Sequence, residues 1–576
     1  MKRIYILIPI VIASLSVAFT ACDESEFLKE DALSFYSQDN SFVNTADFER
    51  SVTAMYSQVR ANLWGDTYGG SPYFVSTDIA KDGRLQLNST RFGGHSVYLV
   101  PTNSTVKRIW DDWYKLISYA NTVIDRVDKS SMPDSDKTRF AAEGKLMRGF
   151  AYRFLVYLYG GVPLVLNEVT SPKTDYVRAS KEDVLRQMVN DFSDASAGLP
   201  DIASAGDGRV SNLVAYHFLA ETYISLGEYQ KAIDAATIVI NDPNTALMQN
   251  RFGSMANTKP YDPYLDFTQD GDVFWDLFRV GNQNRSSGNK EALWVCEFEV
   301  DVEGGLLTTN GSTTLNGVGQ NLMERNCIPS GTWGGFIDPD GVQGEITLAQ
   351  SNYNCGGAGV SLMQNTDWWL NDLWQSDWDN DIRNAPHNIV RDHVYTNPKS
   401  AYYKKSLLKY PSKTWTQQRW RWYPYPTKCC TPGQHPDALY RDKSLATLNG
   451  GGQLYRDMYN LRLAETYLLR AEAYLGAGIA QKAAEDVNAV RERAKAKPIS
   501  ASDVTLDYIL DERARELVYE EPRRITLHRT GKLVERVRKY NELNSSEIQD
   551  IHGLWPIPNS FIEANVSAKI EQNPGY

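Results

Sequence analysis

The chain has 576 residues, 42% hydrophobic and 23% charged, a balance that fits a globular protein with a large core and excludes a disordered or fibrous one. Its formal charge of −11 excludes the basic footprint that nucleic-acid binding needs. With 14 Trp, 33 Tyr and Lys and Arg read as scattered, the composition suits a neutral ligand with apolar faces better than a polyanion.

Lys2 and Arg3 precede an apolar run of 16 residues, Ile4 to Phe19, that contains Pro9. A membrane helix needs roughly 20 apolar residues, so residues 1–21 read as a secretory signal. Thr20-Ala21 before Cys22 resembles a bacterial lipobox, with Phe19 where Leu is commoner. Cys22 is then expected to carry diacylglycerol as the mature N-terminus, with residues 22–40 as tether. Acyl chains contribute about 0.8 kcal/mol per buried CH₂, so two chains anchor stably. Later residues contain no second run of membrane length and are expected to be soluble.

Helical periods dominate residues 41–243. "VKRIWDDWYKLISYANTVIDRV" places Ile109, Trp113, Ile117, Ala120 and Ile124 on one face. "RFAAEGKLMRGFAYRFLVYLYGGVPLV" is a second long helix, with Gly160-Gly161 and Pro163 as stops. Then "AETYISLGEYQKA", Ala220 to Ala232, recurs without gaps as "AEAYLGAGIAQKA", Ala471 to Ala483, at a constant offset of 251. Small residues that let helices approach, a Gly at the turn and a Tyr in the groove are the mechanics of a tetratricopeptide-type hairpin. The predicted fold is mainly α, four such hairpins stacked as a scaffold, and residues 457–576 resume it.

Between them, residues 244–456 read as a loop-rich insertion with short strands and helices. Eight of the 14 Trp fall between Trp333 and Trp422, and long loops on a rigid scaffold carry function. In "DWWLNDLWQSDWDNDIR", helical spacing assigns Leu370, Trp374 and Trp378 to the core and Trp368 to a polar, exposed face with Asp372, Gln375 and Asp379. Trp333 in "SGTWGGF" reads as a loop tip. In "RWRWYPYP", Trp420 and Trp422 alternate with Arg419 and Arg421 before prolines that forbid a central strand. "DPDGVQGE", Asp338 to Glu345, hints at calcium but lacks the twelve-residue register, so it reads as a turn. Cys296 reads as core, Cys429 and Cys430 as unable to pair, and Cys327–Cys355 as the best disulfide candidate. No His or Cys spacing calls for a metal, and no cofactor is expected.

With "CDESEFLKED", "AAEGKLMRGFAYRFLVYLYGGVPLV", "DNDIR", "YNLRLAETYLLRAEAYLGAG", "DVNAVRERA", "ILDERARELVYEEPRRITLHRTGKL" and "LWPIPNSFIEAN…IEQNPGY" on the page, the chain resembles the SusD/RagB-like outer-membrane lipoproteins of Bacteroidetes nearly end to end. The resemblance implies one SusD-like unit over residues 41–576, anchored through Cys22 at the outer-membrane surface, with Asp23, Glu24 and Glu26 resembling a surface-export signal. It implies a glycan ligand and a TonB-dependent β-barrel transporter as partner. A peptide-binding relative of the same architecture, or a docking subunit without ligand, is the alternative. Within "ILDERARELVYEEPRR", Glu512, Arg515 and Glu516 are spaced to pair along one helix face, a scaffold feature.

No HExxH, GxSxG or phosphate loop occurs, so binding rather than catalysis is expected. A glycan site needs flat rings plus groups that reach hydroxyls, and the candidates are Trp333, Trp368, Trp420 and Trp422. In relatives the segment before "IWDDWY" lends residues to the ligand surface. By that position Trp64, Tyr68, Tyr73, Asp78 and Arg84 join the candidates.

Overall fold

The computed structural model describes residues 42–65, 70–83, 94–260, 265, 269–299, 314–315, 318–319, 323–329, 336–345, 359, 361–412, 414, 422–430, 434–435, 437, 440–442, 447–448 and 456–576. The expected signal, lipidation site and tether lie outside them. No helix among the described residues is long and apolar enough to cross a membrane.

The side chain of Asn44 accepts from the Ala46 and Asp47 amides while Asp47 returns to the Asn44 amide, a capping box that starts α1 (Thr45–Trp64). Then follow α2 (Ser104–Arg126), α3 (Asp134–Tyr159), α4 (Lys181–Gly198), α5 (Asn212–Ser225) and α6 (Tyr229–Asn241). Beyond the insertion come α7 (Leu463–Gly476), α8 (Ala480–Arg493), α9 (Leu506–Glu516), α10 (Arg523–Arg529) and α11 (Leu533–Tyr540). From α1 to α8 each helix packs on the next, and α6 meets α7 directly across the insertion. The protein is mainly α, a scaffold of tetratricopeptide-like hairpins. Ile109, Trp113, Ile117 and Ala120 of α2 are buried, as their spacing requires, while Ile124 in the last turn is half-buried.

The internal echo has a physical counterpart. Gly227 and Gly478 turn the α5–α6 and α7–α8 corners with φ of +73° and +77°, a region that favours glycine. Each corner closes with the same two backbone bonds: Gly227 N donates to Ile224 O and Glu228 N to Tyr223 O, while Gly478 N donates to Leu475 O and Ile479 N to Tyr474 O. The repeated Glu is an anchor. Glu221 accepts from Arg153 Nε at 2.6 Å and Nη2 at 2.7 Å, and Glu472 from Arg529 Nη1 at 2.7 Å and Nη2 at 2.5 Å. Buried bidentate pairs of this kind specify which helix face meets which.

The insertion is pinned at its base. Strand β2 (Ala292–Cys296) runs antiparallel to β6 (Met458–Arg462), with Cys296 opposite Met458 and Ala292 opposite Arg462. Further out, β1 (Ala80–Asp82) pairs with β3 (Met363–Asn365), and β4 (Ile389–Val390) with β5 (Tyr425–Pro426). Beneath them lies a buried charge network. Arg515 Nη1 donates to Glu512 Oε2 at 2.8 Å along α9, as the spacing predicts. Glu516 instead reaches across, accepting from Arg383 Nη1 and Arg462 Nη1, both at 3.0 Å, and from Arg493 Nη2. Burial alone would raise the Glu516 carboxyl, but Arg493, Arg462 and Arg383 outweigh it and hold it at about 2. Arg383 of "DNDIR" thus ties the insertion to the C-terminal helices.

Cys296 is buried in the core, and Cys429 and Cys430 are buried and not joined to each other. The Cys327–Cys355 pairing falls on Cys355, outside the described residues. Asp338 to Glu345 form a turn in which Asp338 Oδ1 accepts from Asp340 N at 3.0 Å and Val342 N at 2.8 Å, so the acid serves its own backbone.

Candidate ligand surface on the insertion

Five of the sequence candidates are interior residues. Trp64 closes α1 at 3% exposure and its Nε1 donates to Asn460 Oδ1 at 2.7 Å. The buried Tyr73 hydroxyl accepts from Trp113 Nε1 at 2.9 Å. Asp78, proposed as a hydroxyl partner, is fully buried and clamps two helices: Arg523 donates to it at 2.9 and 2.6 Å from α10, and Arg536 Nε at 2.7 Å from α11. Burial would raise its carboxyl, but Arg523 and Arg536 hold it near 2. Trp422 is 3% exposed, packed edge-on against Phe336 at 4.8 Å and against His393 at 5.4 Å. Tyr68, Arg84, Trp333 and Trp420 lie outside the described residues.

Trp368 and Trp378 exchange the roles that helical spacing assigned them. Trp368 is 9% exposed and Trp378 42%. Trp369, Leu370, Leu373 and Trp374 are buried as predicted. The reason is local geometry: the α-helix stops at Leu370, Asn371 breaks it, and Asp372–Asp377 wind as a 3₁₀ helix. Six residues at 120° each instead of 100° advance the phase by about 120°. That turns the last Trp outward.

Trp378 is held from one side. The Arg391 guanidinium stands 4.7 Å from the centre of its ring, and Asn384 Nδ2 donates to Trp378 O at 2.8 Å. Arg391 Nη2 in turn donates to Leu370 O at 2.9 Å and to Asn384 Oδ1. Among the described residues its partners are neutral, and burial lowers its pKa to about 10. The extended segment after β4 then carries His393 against Trp422 and Tyr395 against Phe336. Tyr395 leads outward to Tyr402 at 5.6 Å, and Tyr402 to Tyr410 at 5.5 Å. Tyr402, Tyr403 and Tyr410 are half-buried, so each offers part of a ring to solvent. Around them stand exposed Lys404, Lys405 and Lys409. The insertion thus presents an exposed indole and, around residues 402–410, three phenols with several cations.

A separate cleft of about 630 Å³ opens between α1, α2, residues 207–209 and β2. Tyr56 and Arg209 on its wall are engaged, Tyr56 donating to Glu143 Oε2 at 3.0 Å and Arg209 Nη2 to Glu143 Oε1 at 3.0 Å. Its walls come from the scaffold helices and from β2 at the base of the insertion.

Two family models divide the chain: one described as "SusD family" matches residues 347–576, and one described as "Starch-binding associating with outer membrane" matches residues 27–224. The chain belongs to the SusD/RagB-like family. Among curated SusD-like relatives, SusD-like protein P2 of Formosa agariphila is 24% identical, covering 95% of this chain and 96% of its own. A SusD-like protein of Bacteroides ovatus is 23% identical over 89% of this chain and 80% of its own. A solved "Laminarin binding SusD-like protein" superposes with a TM-score of 0.66 at 21% identity, covering 93% of this chain and 100% of that one. "Surface glycan-binding protein A" from Bacteroides fluxus gives 0.62 at 15% identity, covering 92% of this chain and 99% of that one. The two solved structures share the fold of this chain.

Sequence reasoning missed Trp378, Arg391 and the tyrosine–lysine edge. A signal was present. Residues 391–421 hold eight Lys and Arg against one acid, Asp392, a local excess hidden by the acidic total.

Proposed function

We propose that this SusD-like protein is a cell-surface glycan-binding lipoprotein that captures oligosaccharide or polysaccharide on its insertion and delivers it to a TonB-dependent outer-membrane transporter. The observation that carries the reading is the chain of partly exposed rings Tyr402 and Tyr410, 5.5 Å apart, with Trp378 a further exposed ring of the insertion. The names borne by the laminarin-binding and glycan-binding neighbours support it. Sugar CH faces stack on rings, and each ring contributes about 0.5–1.5 kcal/mol. Millimolar to micromolar affinity needs about 4–8 kcal/mol, so several rings act together with hydrogen bonds. Trp333 and Trp420 remain candidates for that set, because Phe336 and Trp422, their near neighbours in the chain, are in ring contact at 4.8 Å. Tyr68 and Arg84 remain candidates by position. The chain binds without transforming its ligand, and Cys22 carries the lipid that holds it to the outer membrane.

A glycan array probed with the purified protein tests the ligand class: retention of peptides and no polysaccharide would reverse it. Co-purification in gentle detergent from cells expressing the native neighbouring genes tests the partner. A stable lid on a barrel should bury more than about 1,000 Å² and survive purification.

A further inference from the structure

We infer that the edge formed by residues 399–409 takes an anionic glycan, one whose sugars carry carboxylate or sulfate groups. This rests on the glycan-binding reading and deepens it. Over residues 391–421 the net charge is +7, which leaves −18 on the rest of the chain. Basic charge is concentrated here against the trend of the whole molecule, and a uniformly acidic surface would serve solubility as well.

Within the described part of that stretch, Lys399, Lys404, Lys405 and Lys409 are exposed, and none forms an ion pair with a carboxylate of the described residues. The acids packed nearby bond to neutral groups of the same edge and not to its lysines. Asp338 Oδ2 accepts from Ser400 Oγ at 2.5 Å, and Asp392 Oδ1 from Leu408 N at 3.2 Å. Asp340 Oδ1 lies 3.4 Å from the Tyr402 hydroxyl. The lysines instead hover over rings. Lys405 Nζ is 5.2 Å from the Tyr402 centroid and 5.5 Å from that of Tyr410, Lys404 Nζ 5.7 Å from Tyr403, and Lys409 Nζ 5.8 Å from Tyr410. Such contacts are weak at exposed sites and leave the ammonium free to meet an anion.

The backbone adds a second observation. Lys404 sits at φ +60°, a left-handed position where glycine carries no steric cost. Its amide donates to Tyr395 O at 2.8 Å while Tyr395 N donates to Lys405 O at 3.1 Å, so the turn holds the Lys404-Lys405 pair beside the tyrosines. Like charges crowded on one turn repel, and an ammonium is strongly hydrated. A neutral sugar returns nothing for either cost. A sugar with an acidic substituent returns both, stacking its CH face on a phenol and setting its anion on the adjacent lysine.

Affinity gel electrophoresis of the full-length protein in detergent tests this, with polygalacturonate, carrageenan and laminarin as carboxylated, sulfated and neutral probes. At least one anionic polymer should retard the protein. Raising NaCl from 50 to 500 mM should weaken that retardation tenfold or more, since screening strips exposed charges of their reach. Combined Lys404→Gly, Lys405→Ala and Lys409→Ala should weaken it tenfold or more with the melting temperature unchanged, and Lys405→Arg alone should retain it. Retention on laminarin alone overturns the inference and leaves glycan capture standing. Retention on none of the three overturns both. A triple variant that melts like the parent and binds the anionic polymers equally well overturns the inference. So does binding that appears only on phosphatidylglycerol vesicles, which would make this edge a membrane contact.

Discussion

The indole of Trp368 lies against the ring of Tyr540 with centroids 4.1 Å apart and planes 26° from parallel. Arg536 stands 5.2 Å from the indole centroid and donates to Asp78, so one guanidinium links two residues that the sequence had assigned to a ligand surface. They form an interior joint between the 70–83 loop, the insertion and α11. Removing that ring should cost about 3–5 kcal/mol, the usual range for deleting a buried aromatic. Trp368→Ala is therefore expected to shift the denaturant midpoint strongly while the folded fraction binds glycan normally. An unchanged midpoint would place Trp368 outside the joint.

Trp378→Ala should behave in the opposite way. The ring is 42% exposed and Arg391 covers it from one side only. Its loss should leave melting nearly unchanged and weaken glycan binding by about 0.5–1.5 kcal/mol, roughly two- to tenfold. Titration calorimetry with the best array ligand measures this.

Asp78 should make part of the stability pH-dependent. Arg523 and Arg536 hold its carboxyl at about 2 in the folded protein, below the ordinary 3.8. A depressed carboxyl contributes stability above its unfolded pKa and loses it as pH falls through the folded one. The contribution of about 2 kcal/mol should therefore be complete above about pH 5 and fade between pH 4 and 2. Asp78→Asn should destabilise the protein at pH 7, with the gap to the parent narrowing over that acid window. A gap constant from pH 7 to pH 2.5 would contradict the assignment.

Cys22→Ser should leave an unprocessed precursor or release the protein from membranes, and it should abolish acyl-chain labelling. Undiminished labelling of the variant would exclude Cys22 as the lipid site.

The sequence by itself determined what depends on neighbours along the chain. The offset of 251 between Ala220 and Ala471 foretold two hairpins, because the glycine corner is set by residues within one helical pair. The helical scaffold, its stops at Gly160 and the turn at Asp338 were legible for the same reason. What only the tertiary structure decided is which aromatic faces water. Tyr540 covers Trp368 and Phe336 covers Trp422 from elsewhere in the chain, and no local period records such partners. The Trp368–Trp378 stretch was misread because one broken turn and a 3₁₀ segment moved its phase by a third of a revolution. Asp78 looked like a free carboxylate until Arg523 and Arg536 arrived from the far end of the chain. Burial of a side chain is a sum over everything that packs on it, and most of that sum comes from distant sequence.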